Sequence, residues 1–171
     1  LVPFGVDTDV FKPGDKKAAQ KRLGVFPGSR VISFRINAGK NKGTEYLLEA
    51  LRRLNWAEPI CLITVDTRGM LDEFRGRYQI IDMGWIKDEP DLVDVYNASD
   101  IFLMPSVAEA FGVMAIEAMA CATPLVVAEG TALPGVVGQG GMVIPGRSSE
   151  ALVKAIQTLL TDSNKARELG A

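Results

Sequence analysis

The sequence contains no histidine among its 171 residues. That absence removes the commonest general base, the Ser-His-Asp triad and every imidazole metal site. Cysteine is scarce too. Cys61 and Cys121 cannot build a four-thiolate zinc site or a disulfide framework, and both lie in apolar stretches that read as buried, reduced thiols. Long hydrophobic runs are missing: a charge or a Pro/Gly turn interrupts each one before the ~20 residues of a membrane span. No signal-peptide pattern is present either, and a cytoplasmic location is expected. The chain opens at Leu1 without a methionine, so it reads as a processed piece or a segment of something longer. Two phosphate-loop fingerprints are also absent. Lys40 is followed by Asn41 and Phe34 stands five before Gly39, so there is no Walker loop. Gly138 and Gly140 begin a GxGxxG, but Val143 occupies the third glycine's place, which argues against dinucleotide dehydrogenase chemistry.

What is present is ordinary globular material: 47% apolar and 23% charged residues, enough for one domain and too apolar for disorder. A net charge of −2 argues against a nucleic-acid binder. The charge is unevenly spread. Residues 1–54 hold 11 Lys/Arg and 5 Asp/Glu, whereas the remaining 117 hold 8 and 16. A basic end on an acidic domain suggests a local anion site, although lysines around Lys12–Arg22 read more simply as solvated surface.

Short β-branched runs alternate with helical patterns along the chain. Strands are expected at Val31–Phe34, Ile60–Val65, Gln79–Asp82, Asp100–Met104, Pro124–Ala128 and Met142–Ile144. Between them, Thr44 reads as the cap of a helix carrying Tyr46, Leu47, Ala50, Leu51 and Leu54. A short helix is expected near Met70–Phe74. Pro90 suits the start of another, with Leu92, Val93, Tyr96 and Ala98 on one face. Gly112–Cys121 is a further helix, Leu152–Leu160 an amphipathic one, and a last fragment ends at Ala171. Continuously apolar strands joined by helices predict a doubly wound parallel sheet, a single Rossmann-like α/β domain. Ligands in such folds sit at the carboxyl ends of the strands.

Two segments at those ends carry chemistry. In the first, Glu117 is the one charged side chain from Ala110 to Cys121, and such a carboxylate is costly to bury unpaired. Glu109 precedes that helix on the loop, and Gly112 lets the backbone approach a ligand. First-turn amides without intrahelical partners make a phosphate site there. A phosphate at the helix tip leaves Glu117 about 7.5 Å further along the axis, within reach of an attached ribose diol. The plainer alternatives are a structural salt bridge for Glu117 and a solvated loop carboxylate for Glu109. In the second segment, Arg35 and the lysines Lys40 and Lys42 sit on a loop ending at Gly43, and could hold a diphosphate. Asp7 and Asp9 formally spell a cation pair, but their turn-rich surroundings read as a structural loop.

Together the leader VPFGVDTDVFKP, the Arg…Lys-Gly loop and the two glutamates with seven residues between them within PSVAEAFGVMAIEAMA resemble the group 1 retaining glycosyltransferases of the GT-B fold. The resemblance covers Val2 to about Leu169. It implies a nucleotide-diphosphate sugar as donor, no cofactor and no metal. By that resemblance Glu117 meets the ribose hydroxyls, Glu109 the donor sugar, and the amides of Ala110, Phe111, Gly112 and Val113 the sugar and phosphate. Arg35 with Lys42 (or Lys40, depending on how the loop is counted) neutralises the leaving diphosphate, and the backbone of Gly84, Trp85 and Ile86 meets the base. Glu109, Arg35 and Lys42 are thereby the catalytic set. The resemblance also implies that residues 1–15 are an interdomain leader, that this is the donor half of a two-domain enzyme, and that the acceptor, a glycan or lipid-linked glycan, is held by an N-terminal domain. Such enzymes can lie peripherally on a cytosolic membrane face. Three positions depart from the pattern: Ala122 replaces a glycine before Thr-Pro, Asp66 stands for a glycine and Gly135 for a glutamate. A non-catalytic nucleotide-sugar binding module and a GT-B nucleotide-sugar epimerase are the competing readings.

Overall fold

A computed structural model describes residues 5–36, 40–65, 67 and 69–170, with the backbone alone at Lys40. Its centre is one six-stranded sheet in the order β3-β2-β1-β4-β5-β6, every pair parallel. The strands are β1 (Arg30–Arg35), β2 (Ile60–Val65), β3 (Gln79–Asp82), β4 (Ile101–Met104), β5 (Leu125–Ala128) and β6 (Gly141–Ile144). The order reverses between β1 and β4, so the crevice at their carboxyl ends is the topological switch point where ligands of such sheets bind. The predicted doubly wound, Rossmann-like sheet is thus the observed fold.

Seven helices accompany the sheet among the described residues: α1 (Lys16–Leu23), α2 (Thr44–Arg53), α3 (Glu89–Ala98), α4 (Val113–Ala120), α5 (Leu133–Val137), α6 (Ser149–Thr161) and α7 (Ser163–Leu169). The period-2 geometry of the strands sorts the core into two faces. Ile32 and Phe34 of β1, Leu62 of β2, Ile101 and Leu103 of β4 and Val126 of β5 pack with Leu47 and Leu51 of α2 and Leu152 and Ile156 of α6. Their alternates point the other way. Val31, Cys61 and Ile63 meet Ala19 of α1 and Val95 of α3, while Phe102, Leu125 and Val127 meet Tyr96 of α3 and Ala115 and Ala118 of α4. Arg35 shares the parity of Val31, so its side chain belongs to the face covered by α3 and α4.

Two sequence expectations need correction, and one helix was not expected. Thr44 is the first helical residue of α2, not its cap; Gly43 holds that place in a left-handed conformation, φ 67°, without a side-chain cap bond. The helix near Met70 is a 3₁₀ turn over Asp72–Phe74. The Lys and Arg side chains of Lys12–Arg22 are largely exposed, as expected, but most of them ride on a helix, α1, that was not expected. Asp15 caps α1 by accepting from the Ala18 amide at 3.1 Å, and Gly24 ends it with φ 76°. Both signals stand in the sequence as Asp15 and Gly24 flanking the helix.

The charge asymmetry resolves in three dimensions. Lys16 pairs with Asp100 at 2.7 Å, Arg22 with Asp94 at 2.5 Å, Arg30 with Glu58 at 2.7 Å and Arg52 with Glu73 at 2.7 Å. Four of the eleven cations of the basic end thus meet carboxylates of the acidic remainder, in surface pairs that add little to stability. A cavity of about 560 Å³ at the amino-terminal ends of the strands is lined by Lys16, Arg30 and Asp100, whose charges are spent on one another.

Candidate functional site

The carboxyl end of β1 leads through a 3₁₀ turn, Lys40–Lys42, to Gly43. A Cβ on Gly43 would lie 2.0 Å from the Pro105 carbonyl oxygen, so only glycine lets this loop touch the one that follows β4. The Asn41 carbonyl accepts from the amides of Val107 at 2.8 Å and Ala108 at 3.2 Å. This backbone seam brings two distant side chains together: Lys42 Nζ donates to Glu109 Oε2 at 2.5 Å. Both are mostly shielded, with side chains 24% and 17% exposed, which strengthens their attraction relative to a surface pair. The Ala132 amide bonds the Glu109 carbonyl at 3.2 Å and holds that loop from its far side.

Around this ion pair opens a cavity of about 670 Å³, walled by Asn41, Lys42, Ala108, Glu109, Ala110 and Thr131, among others. Asn41 and Thr131 were not singled out from sequence; being plain polar loop residues, they carry no signal there. Helix α4 begins beside the cavity. Gly112 caps it with φ 94°, and a Cβ there would lie 2.4 Å from Leu133 Cδ2, so glycine is demanded by conformation and by space. At the start of α4 the Ala115 amide bonds the Gly112 carbonyl at 2.9 Å, while the amides of Val113 and Met114 precede any intrahelical acceptor and carry the positive end of the helix dipole.

Glu117 sits one turn deeper and does not line that cavity. Its Oε2 accepts a 2.7 Å hydrogen bond from the hydroxyl of Tyr96, a wholly buried residue of α3. The expected structural alternative, a salt bridge, is replaced by this neutral donor. Burial pushes the Glu117 carboxyl above the ordinary carboxylate range, the Tyr96 bond opposing and Glu89 adding to the rise. Tyr96 itself is raised well above a normal phenol, by burial first and by Glu117 next.

Arg35 and Trp85 form the third cluster. The Arg35 guanidinium lies 5.4 Å from the Trp85 ring centroid, and Trp85 is 64% exposed. That geometry is a cation–π contact on the rim of the crevice. The loop bearing Trp85 is shaped by Asp82, which accepts from the Gly84 amide at 3.0 Å and from the Thr67 hydroxyl. Ile86 packs against the core beneath α1 and α3. The predicted residues thus fall into three neighbouring groups on one rim, not into a single pocket. The side chain of Lys40, and Asp66, lie outside the described residues.

The remaining candidates are quiet. Burial pushes the Cys61 thiol up to about 12 and that of Cys121 up to about 11, which makes both poor nucleophiles. Asp7 accepts from the Asp9 amide at 2.9 Å, a turn-forming bond. Among the described residues no three Cys, Asp or Glu side chains converge as metal ligands, and no helix is long and apolar enough to cross a membrane.

Comparison with known proteins fits this arrangement. The family model described as glycosyl transferases group 1 matches residues 30–162. A D-inositol 3-phosphate glycosyltransferase of Segniliparus rotundus is 33% identical over 99% of this chain and 41% of its own length. The chain therefore spans about four tenths of that relative. A solved C-terminal domain of a glycosyl transferase group 1 family protein from Francisella tularensis is 26% identical, with a TM-score of 0.79, over 97% of this chain and 93% of that one. The Anabaena protein HepE, solved in complex with UDP and glucose, shares the fold at 22% identity and a TM-score of 0.81, over 98% of this chain and 48% of its own. With the family model covering the whole sheet and both loops of the rim, the chain belongs to the group 1 glycosyl transferases.

Proposed function

We propose that this chain is the donor half of a retaining glycosyltransferase and binds a nucleotide-diphosphate sugar across the three groups on its rim. The observation that carries this reading is the Lys42–Glu109 ion pair set in a cavity beside the amino end of α4. A cation, a carboxylate and free amides at one point suit a phosphate joined to a polyhydroxylated ring. In the bound state the diphosphate takes Lys42 from Glu109 and draws on the α4 amides and Arg35. Glu109, released, accepts from hydroxyls of the donor sugar. Glu117 accepts from the ribose diol, and the backbone of Gly84–Ile86 faces the base.

Charge develops on the leaving phosphate oxygen as the bond to the sugar breaks. Preorganised cations and helix amides stabilise that charge without reorganising, and this is the contribution the chain's own residues make to catalysis. The donor side of the site needs no metal and no histidine base in this reading, and retention follows the family's habit. Residues 1–15 serve as a leader from a preceding acceptor-binding domain, in keeping with relatives more than twice as long. The 171-residue chain alone then binds its donor without turning it over.

Calorimetry with UDP and GDP tests the assignment. UDP is the first probe because a protein of this fold was solved with it. Saturable binding of a nucleoside diphosphate is expected; no binding of either removes the donor-site assignment. An assay of free nucleotide-sugar isomerisation, expected to be silent, separates this reading from an epimerase.

A further inference from the structure

Helix α4 reads VMAIEAMA, and Glu117 is the one charged side chain on it. Tyr96 is equally out of place. Its ring is wholly buried among Phe11 and Phe102, with centroids 6.3 and 5.1 Å away, a setting that phenylalanine would fill as well. Each polar group costs free energy in that environment unless partnered. Among the described residues each is the other's side-chain partner, at 2.7 Å. The backbone of Tyr96 is also pinned, since Thr123 Oγ1 donates to its carbonyl at 2.9 Å and ties the end of α3 to the turn after α4. Core packing alone gives no reason for either polar group, because an apolar pair would serve it better.

We propose that Tyr96 is the positioning residue of Glu117: its hydroxyl clamps one carboxylate oxygen so that the other faces the crevice as an acceptor. The inference rests on the reading of Glu117 as the ribose contact. A carboxylate on a flexible stem would otherwise sample several rotamers, and holding it in one cuts the ordering cost of binding. The bond also favours the ionised form that a ribose hydroxyl needs. Around the pair stand Glu89 on α3, which opposes ionisation of Glu117, Arg35 on β1, which favours that of Tyr96, and Cys121 at the end of α4.

The test compares UDP with 2′,3′-dideoxy-UDP by calorimetry on the 171-residue chain between pH 5 and 8. Because both ligands carry the same diphosphate, its own titration cancels in the ratio of affinities. Wild type is expected to prefer UDP about tenfold, with the preference fading toward low pH as Glu117 takes a proton. In Tyr96→Phe the preference should shrink several-fold and its midpoint move to higher pH, while affinity for dideoxy-UDP stays unchanged. A wild type without preference overturns the ribose reading and this inference together. A wild type with preference, matched at every pH by Tyr96→Phe, overturns the inference alone. Should Tyr96→Phe not fold, chain grown with 3-fluorotyrosine, a stronger donor, should move the midpoint to lower pH; an unmoved midpoint counts against the role of Tyr96.

Discussion

Lys42 Nζ stands 2.5 Å from Glu109 Oε2, although 67 residues separate them in sequence. Glycine at position 43 and the Asn41 carbonyl bring the two loops into contact, and the ion pair follows from that contact. The carboxylate therefore occupies the cation that, on the proposed reading, a diphosphate would take. Glu109→Gln should release Lys42 and remove a negative charge from the cavity. Affinity for UDP, which carries no sugar, is expected to rise several-fold by calorimetry, and an unchanged or lower affinity counts against Lys42 as a diphosphate contact.

Arg35 offers a second check on the same ligand. Its guanidinium rests on an exposed indole, a cation–π contact worth about 0.5–1 kcal/mol at such a site, so the fold leans little on its charge. Arg35→Glu should lower UDP affinity by at least about tenfold, the scale of a lost charged hydrogen bond. The melting temperature should barely move. A variant that binds UDP as wild type does would exclude Arg35 from the site.

Ala122 has φ 57°, in the left-handed region where a Cβ is disfavoured. This explains why its departure from the glycine of the resembling pattern has a cost. Ala122→Gly should stabilise the chain by about 0.5–1 kcal/mol, the relief of strain less the added freedom of the unfolded chain. Urea unfolding at fixed pH measures it, and a destabilised variant would mean that the local backbone relaxes around alanine.

Glu117 links pH to stability with an unusual sign for a carboxylate. Its folded-state value is raised, mainly by burial, so its stabilising contribution is present below the ordinary carboxylate range and lost as pH rises through the raised value. At neutral pH the ionised group is held at a cost. Glu117→Gln keeps an acceptor for Tyr96 and should melt above wild type at pH 7, with the gap closing toward pH 4. Loss of UDP preference over its dideoxy analogue should accompany the gain, as happens where function requires a strained site. A variant less stable than wild type at pH 7 would contradict the sign.

Much of the rim was legible from residue order alone. Apolar runs spaced by amphipathic segments are enough to specify a parallel sheet, and Gly112 with Glu109 and Glu117 marks the loop and helix after β4. Other features left no local trace. The cap of α2 passed from Thr44 to Gly43 because a contact with Pro105, over 60 residues away, demands a left-handed glycine. Helix α1 was readable from Asp15 and Gly24 but was masked by its lysines, whose partners Asp94 and Asp100 lie far along the chain.

By itself the sequence determined the succession of strands and most of the helices between them, and the residue types carried by the carboxyl-end loops. These depend on periodicity and on conformational preferences within a few residues. Tertiary structure alone decided the pairings: Lys42 with Glu109, Arg35 with Trp85, Glu117 with Tyr96. It also set Lys16, Arg22, Arg30 and Arg52 of the basic part against Asp100, Asp94, Glu58 and Glu73 of the acidic part. The physical reason is common to all of them. A charge or a buried hydroxyl acquires its energy from whatever faces it within a few ångströms, and here those partners come from other strands and other loops.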